Sequence, residues 1–175
     1  MKLPSIYYRA RQFGQALKAR TLSEADLAEV QAILTPEQMT LFSRLQPSEQ
    51  SHSLRVLRTL EDDRTVDPDL KVAALLHDIG KIRYPLRLWQ RVFVVLGKAL
   101  WPKRAQAWGE KEARGWQTPF VVAAQHPAWG AEIALEAGVS PRASRLIRAH
   151  QNSIPAEENL ENRLLAALQK ADQQH

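Results

Sequence analysis

The chain contains no cysteine, so neither a disulfide nor a thiolate metal site can form, and any metal it binds must be held by imidazole and carboxylate groups. Glycine is scarce, at 7 of 175 residues. Alanine, leucine, glutamate, glutamine and arginine are abundant instead, which favours helix. No uncharged apolar run reaches the roughly 18 residues that a membrane-spanning helix needs. The opening MKLPSIYYRARQFGQ lacks the apolar stretch of a secretory signal, and a cytoplasmic location is expected. Sustained period-two alternation is missing, and with it the pattern of strands. Internal repeats and low-complexity tracts are missing too.

What is present fits one domain with a sizeable core: 45% of residues are hydrophobic and 25% charged. The net charge of +5 would draw phosphorylated small molecules, nucleic acid or an anionic membrane surface, without choosing among them.

Helix boundaries are well marked. Thr21 with Glu24 and Thr35 with Gln38 fit the capping-box spacing. Thr35-Pro36, Asp67-Pro68, Thr118-Pro119 and Ser140-Pro141 each set a capping side chain before a proline suited to the first helical position. The punctuation and apolar spacing predict an all-α chain with helices near 5–18, 22–33, 36–45, 48–62, 68–79, 86–100, 103–114, 119–124, 128–137, 141–151 and 157–172. Leu70, Ala73, Ala74 and His77 share a face in one of these. Leu160, Leu164, Leu165, Leu168 and Asp172 do so in the last. Residues 84–117 hold Trp89, Trp101, Trp108 and Trp116, four of the five tryptophans, with many Lys and Arg. They read as a helical insertion in a core spanning about 36–173, preceded by N-terminal helices over 5–33.

The five histidines have distinctive settings. His77 precedes Asp78 in AALLHDIGK, near the end of a strongly apolar helix, where a charged aspartate is costly to bury uncompensated. A divalent cation bridged by both side chains would compensate it. His52 lies on the helix upstream, His126 opens HPAWGAEIALEAG, His150 ends SPRASRLIRAH, and Asp172 stands where the last apolar stripe runs out. Each sits on or beside a separate helix, an arrangement that can converge inside a bundle, where metal sites are commonly built. Plainer readings exist: a solvated helix end for His77-Asp78, a turn before Pro127 for His126, and a frayed tail for Asp172. His175 is expected to be unstructured.

In order, His52, the His77-Asp78 doublet and Asp172 resemble the H…HD…D signature of the HD-domain phosphohydrolases. HDIGK resembles the HDIG variant, and His126 and His150 its binuclear subset. The resemblance covers roughly residues 36–173. It implies a single HD-type helical bundle in which one metal is held by His52, His77, Asp78 and Asp172. A second would be held by His126 and His150, with Asp78 bridging. Iron, manganese, zinc, nickel or cobalt would suit such ligands. The implied reaction is hydrolysis of a phosphate ester or anhydride, with nucleotides the expected substrate class. No G-Y-P motif of the cyclic di-GMP hydrolases is present. Lys81, one helical turn beyond His77, is the expected non-ligand catalytic group, supplying positive charge to a phosphate, with Asp78 beside it; a plain helix-dipole role is the alternative for Lys81.

The alternative to an enzyme is a catalytically inactive HD module acting as a regulatory, partner-binding or membrane-associated domain. Nothing in the chain spells sequence-specific nucleic-acid readout. Residues 86–101 carry a broad apolar face between tryptophans, followed by Lys103-Arg104. They are expected to pack on the core, to serve as a lid or dimer contact, or to touch a membrane peripherally.

Overall fold

The computed structural model describes residues 21–62 and 67–175; the helix expected over 5–18 lies outside them. The described residues form α-helices and two short 3-10 turns, with no strand among them. In chain order the helices are α1 (Glu24–Gln31), α2 (Pro36–Phe42), α3 (Pro47–Asp62) and α4 (Pro68–Leu76), then α5 (Leu88–Leu100), α6 (Pro102–Gly109), α7 (Thr118–Glu136), α8 (Pro141–Ala149) and α9 (Leu160–Gln173). The 3-10 turns are Ile79–Arg83 and Gly115–Gln117.

Capping chemistry sets many of the starts. Thr35 and Gln38 form the expected reciprocal box on α2. On α1 the box is Ser23 with Asp26 rather than Thr21 with Glu24: Asp26 Oδ2 accepts from both the Ser23 backbone N–H and its hydroxyl, and Ser23 Oγ accepts from the Asp26 N–H. Asp67 accepts from the Asp69 and Leu70 N–H groups at the start of α4. Ser140 accepts from Ala143 at the start of α8. Thr118 does not cap; it is already the first residue of α7, entered from the 3-10 turn.

Two boundaries depart from the periodicity. The break expected between 124 and 128 does not occur, and α7 runs unbroken through Pro127. Proline there has no N–H for the Ala123 carbonyl, yet the turn is held by burial of His126 and Pro127 themselves. Conversely, α4 stops at Leu76 and the chain tightens into the 3-10 turn, so the helix expected over 68–79 ends early. α7 closes on Gly138, whose φ of 74° suits glycine and lets Val139 N–H donate to the Ala134 carbonyl.

The main core is formed by Phe42, Leu57, Leu60, Leu70, Leu75, Leu76, Leu146, Ile147 and Leu168 with their neighbours from α1 to α4 and α7 to α9. Full burial of each large apolar side chain contributes about 1.5–3 kcal/mol. α4 packs on α3 and α8, and α9 on α3 and α8, while α7 packs on α8 and on the 3-10 turn Ile79–Arg83. α5 and α6 form a separate layer over the first half of α7 through a small cluster of Val94, Ala105 and Phe120, flanked by Phe93 and Trp108.

Candidate metal centre

All six residues singled out above converge. They come from α3 (His52), the junction after α4 (His77, Asp78), the middle of α7 (His126), the residue that ends α8 (His150) and the last turn of α9 (Asp172). The His52 and His77 rings are 5.3 Å apart between centroids, His77 and His150 5.1 Å, and His126 and His150 5.2 Å. Two groups have the proximity a metal ion needs: His52, His77 and Asp172 form one, and Asp78, His126 and His150 the other.

Asp78 faces both. Its Oδ2 lies 3.6 Å from His77 Nε2, and its Oδ1 lies 3.3 Å from His126 Nε2. His77 Nε2 is also 3.7 Å from Asp172 Oδ1, which accepts a 2.9 Å hydrogen bond from His52 Nε2.

The imidazoles are oriented by the backbone. His77 Nδ1–H donates to the Ala74 carbonyl, His126 Nδ1–H to Val122 and His150 Nδ1–H to Ile147, at 2.9, 2.8 and 2.7 Å. A carbonyl can only accept, so each Nδ1 carries the proton and each Nε2 turns inward. The Nε2 atoms of His77 and His150 are sealed from solvent and have no hydrogen-bond partner. His126 Nε2 lies 3.4 Å from the Gln151 amide nitrogen, which donates to it.

Burial pulls His126 below the ordinary histidine range and outweighs the pull of Asp78 in the other direction. Burial, with His77 and His126 beside it, pulls His150 down to about 3. Both rings are therefore neutral at physiological pH. A neutral His126 aims its Nε2 lone pair at a carboxylate oxygen, an electron-rich contact that calls for a cation.

The carboxylates are ionised. Burial alone would raise Asp78, but the Lys81 ammonium leads the influences that outweigh it and hold it well below the usual range. Burial likewise pushes Asp172 up, and the His52 hydrogen bond and nearby His77 bring it to about 2. Buried, ionised carboxylates beside unpartnered imidazole nitrogens fit a divalent metal by donor chemistry.

Lys81 reaches the site by a different path from the one expected. It lies in the 3-10 turn, not on a continued α4, and its Nζ donates to Asp78 Oδ2 at 2.5 Å. Its side chain remains 28% exposed while Asp78 is almost wholly buried, so the ammonium stands at the solvent edge of the cluster. His175 is not unstructured: its Nε2 lies 2.7 Å from Thr59 Oγ1, which ties the end of α9 to α3 and steadies Asp172.

Two features escaped sequence reasoning. Arg55, one turn after His52 on α3, is half-buried with an Nε that has no hydrogen-bond partner, and burial draws its guanidinium below the ordinary range. Its spacing of three from His52 was the available signal. Gly80 is the second: a Cβ there would stand 2.0 Å from the His126 carbonyl oxygen and 2.7 Å from the Gly130 nitrogen. The bare backbone is what allows the turn carrying Asp78 and Lys81 to lie against the turn of α7 that carries His126.

The family model described as HD domain matches residues 50–173. No protein of curated function and no solved structure matches the chain.

Proposed function

Because the chain belongs to the HD-domain family, whose members are generally metal-dependent phosphohydrolases, we propose that it hydrolyses a phosphate ester or anhydride of a nucleotide at a binuclear centre. In this reading His52, His77, Asp78 and Asp172 hold one divalent transition metal. His126 and His150 hold the second, sharing Asp78. The supporting observation is the placement of Asp78, one oxygen turned toward His77 and the other toward His126, beside the inward Nε2 atoms of His77 and His150, which lack hydrogen-bond partners.

When bound, the metals would supply Lewis acidity toward water and phosphoryl oxygens. The chain's own groups do the rest. The backbone carbonyls of Ala74, Val122 and Ile147 keep three imidazoles in the ligating tautomer and resist rotation of their rings. Asp172 orients His52, whose Nε2 proton a metal would replace. Lys81 lies at the edge of the cluster, able to meet a phosphoryl oxygen while bonded to Asp78. Arg55, whose Nε has no hydrogen-bond partner among the described residues, offers a second positive charge to an anionic substrate.

The test is metal content of protein purified without chelators, followed by phosphate release across nucleotides in added manganese or iron. Close to two metals per chain, with release from one nucleotide class, is the expected result. His77→Ala and Asp78→Ala should lose both metal and turnover. Unchanged metal stoichiometry in those variants would refute the ligand assignment, and metal without turnover on any nucleotide would refute the substrate class.

A further inference from the structure

From residue 79 to residue 109 there is no aspartate or glutamate; the charged residues are Lys81, Arg83, Arg87, Arg91, Lys98, Lys103 and Arg104. Among these, Lys81 is engaged by Asp78, Arg91 by Glu49, and Arg83 stands over the Trp129 ring. Arg87, Lys98, Lys103 and Arg104 are exposed on α5, α6 and their flanks.

The same two helices expose large apolar side chains. Trp89 is 61% exposed, Leu96 51%, Leu100 63% and Trp101 50%, and Trp116 beside them is 56% exposed. Trp89, Leu96 and Leu100 follow one another at steps of seven and four, so they form a single stripe along α5. The helix docks on α7 by another side, through Val94 and Gly97. Gly97 lies so close to the Phe120 ring that a Cβ would stand 2.5 Å from it. The stripe is thus left outward by the packing itself. Among the described residues no helix is long and apolar enough to cross a membrane.

We propose that α5 and the start of α6 dock on the surface of an anionic lipid bilayer, with the Trp89–Leu100 stripe and Trp101 entering the headgroup boundary and the basic side chains meeting lipid phosphates. Tryptophans at both ends of an aliphatic stripe, with basic flanks and no acid, match the chemistry of that boundary. A second copy of the chain is disfavoured by charge, since the symmetric contact would press two wholly basic surfaces together. Generic nucleic acid would use the positive charge but not the aliphatic stripe.

The test is co-sedimentation of the full chain with vesicles of equal parts phosphatidylglycerol and phosphatidylcholine, against vesicles of phosphatidylcholine alone, at low salt. Binding to the anionic vesicles only, weakened by salt, is expected. The triple variant Trp89→Ser, Leu96→Ser, Leu100→Ser should lower binding at least about tenfold. Lys103→Glu with Arg104→Glu should lower it by roughly tenfold or more. These side chains are exposed, so both variants should melt with the wild type, and phosphate release from a soluble nucleotide should not change. Absence of binding by folded wild type would overturn the proposal. Binding undiminished in the triple variant would overturn it as well, as would a wild-type dimer that the triple variant converts to monomer.

Discussion

Three histidines solve one local problem in one way. Each donates its Nδ1 proton to a carbonyl three or four residues earlier in its own helix. For His77 and His150, which cap α4 and α8 at their C-terminal ends, that carbonyl belongs to the last turn, where acceptors would otherwise lack a donor. The helix end and the metal site are therefore served by opposite sides of one ring. Lys81 has no such structural duty beyond its bond to Asp78. We expect Lys81→Ala to keep its metal and lose about a hundredfold or more in kcat, with elemental analysis and turnover measured on one preparation; wild-type turnover would remove Lys81 from the mechanism. Gly80 behaves oppositely, being structural and chemically inert. Gly80→Ala must push the 3-10 turn off the α7 backbone, at about 3 kcal/mol or more, and thermal melting should show Tm lower by roughly 6–12 °C. The His77-Asp78 pair was legible because an aspartate beside imidazole in an apolar helix demands compensation; the convergence of His52, His126, His150 and Asp172 on it was legible through the resemblance to the HD signature. The Gly80 constraint was not, because it depends on which helix lies across the turn.

At the level of elements, the caps that were legible are those whose partners sit within four residues. Thr35, Asp67 and Ser140 cap where the sequence places them. There are two exceptions: Ser23 caps in place of Thr21, because both spacings are available and only the fold selects one, and Thr118 is already inside α7, entered from a 3-10 turn. Pro127 misled for a physical reason: proline usually ends a helix, but here the turn around it is wedged between the Gly80 turn and α8, and tertiary contact overrides the local preference. Asp67 and Asp69 show what caps can do between elements. Asp69 accepts from the Ser140 hydroxyl and from Arg142 Nε, while Asp67, already capping α4, accepts from Arg142 Nη2. The N-termini of α4 and α8, both partially positive, are thereby joined through two carboxylates. Asp69→Ala should cost about 1–2 kcal/mol, read as a Tm lower by roughly 2–8 °C. Asp69→Asn, which can still accept from Ser140, should cost less. Equal losses in the two would show that the Arg142 charge pair, not the hydroxyl bond, holds the junction.

For the molecule as a whole, the candidate metal centre is the place where α3, α4, α7, α8 and α9 meet. An ion bound there binds only the folded chain, so it stabilises the whole bundle. With free metal at about a hundred times its Kd, the gain is about 2.7 kcal/mol, a Tm rise of roughly 5–10 °C that a chelator should reverse and that Asp78→Ala should not display. Acid works in the other direction. Burial keeps His150 at about 3 and His126 below its ordinary range, whereas the unfolded chain takes up those protons near pH 6.5. Between these limits the unfolded state binds more protons, so the stability of the metal-free protein falls as pH drops from about 6.5 toward 3. Asp172, held at about 2 when folded, adds a further loss as pH falls below about 3.8. Urea midpoints measured in chelator across that range should decline with acid from the histidine window onward. A flat profile down to about pH 4 would mean that the two rings take up their protons in the folded chain as readily as in the unfolded one, so that burial does not hold them neutral.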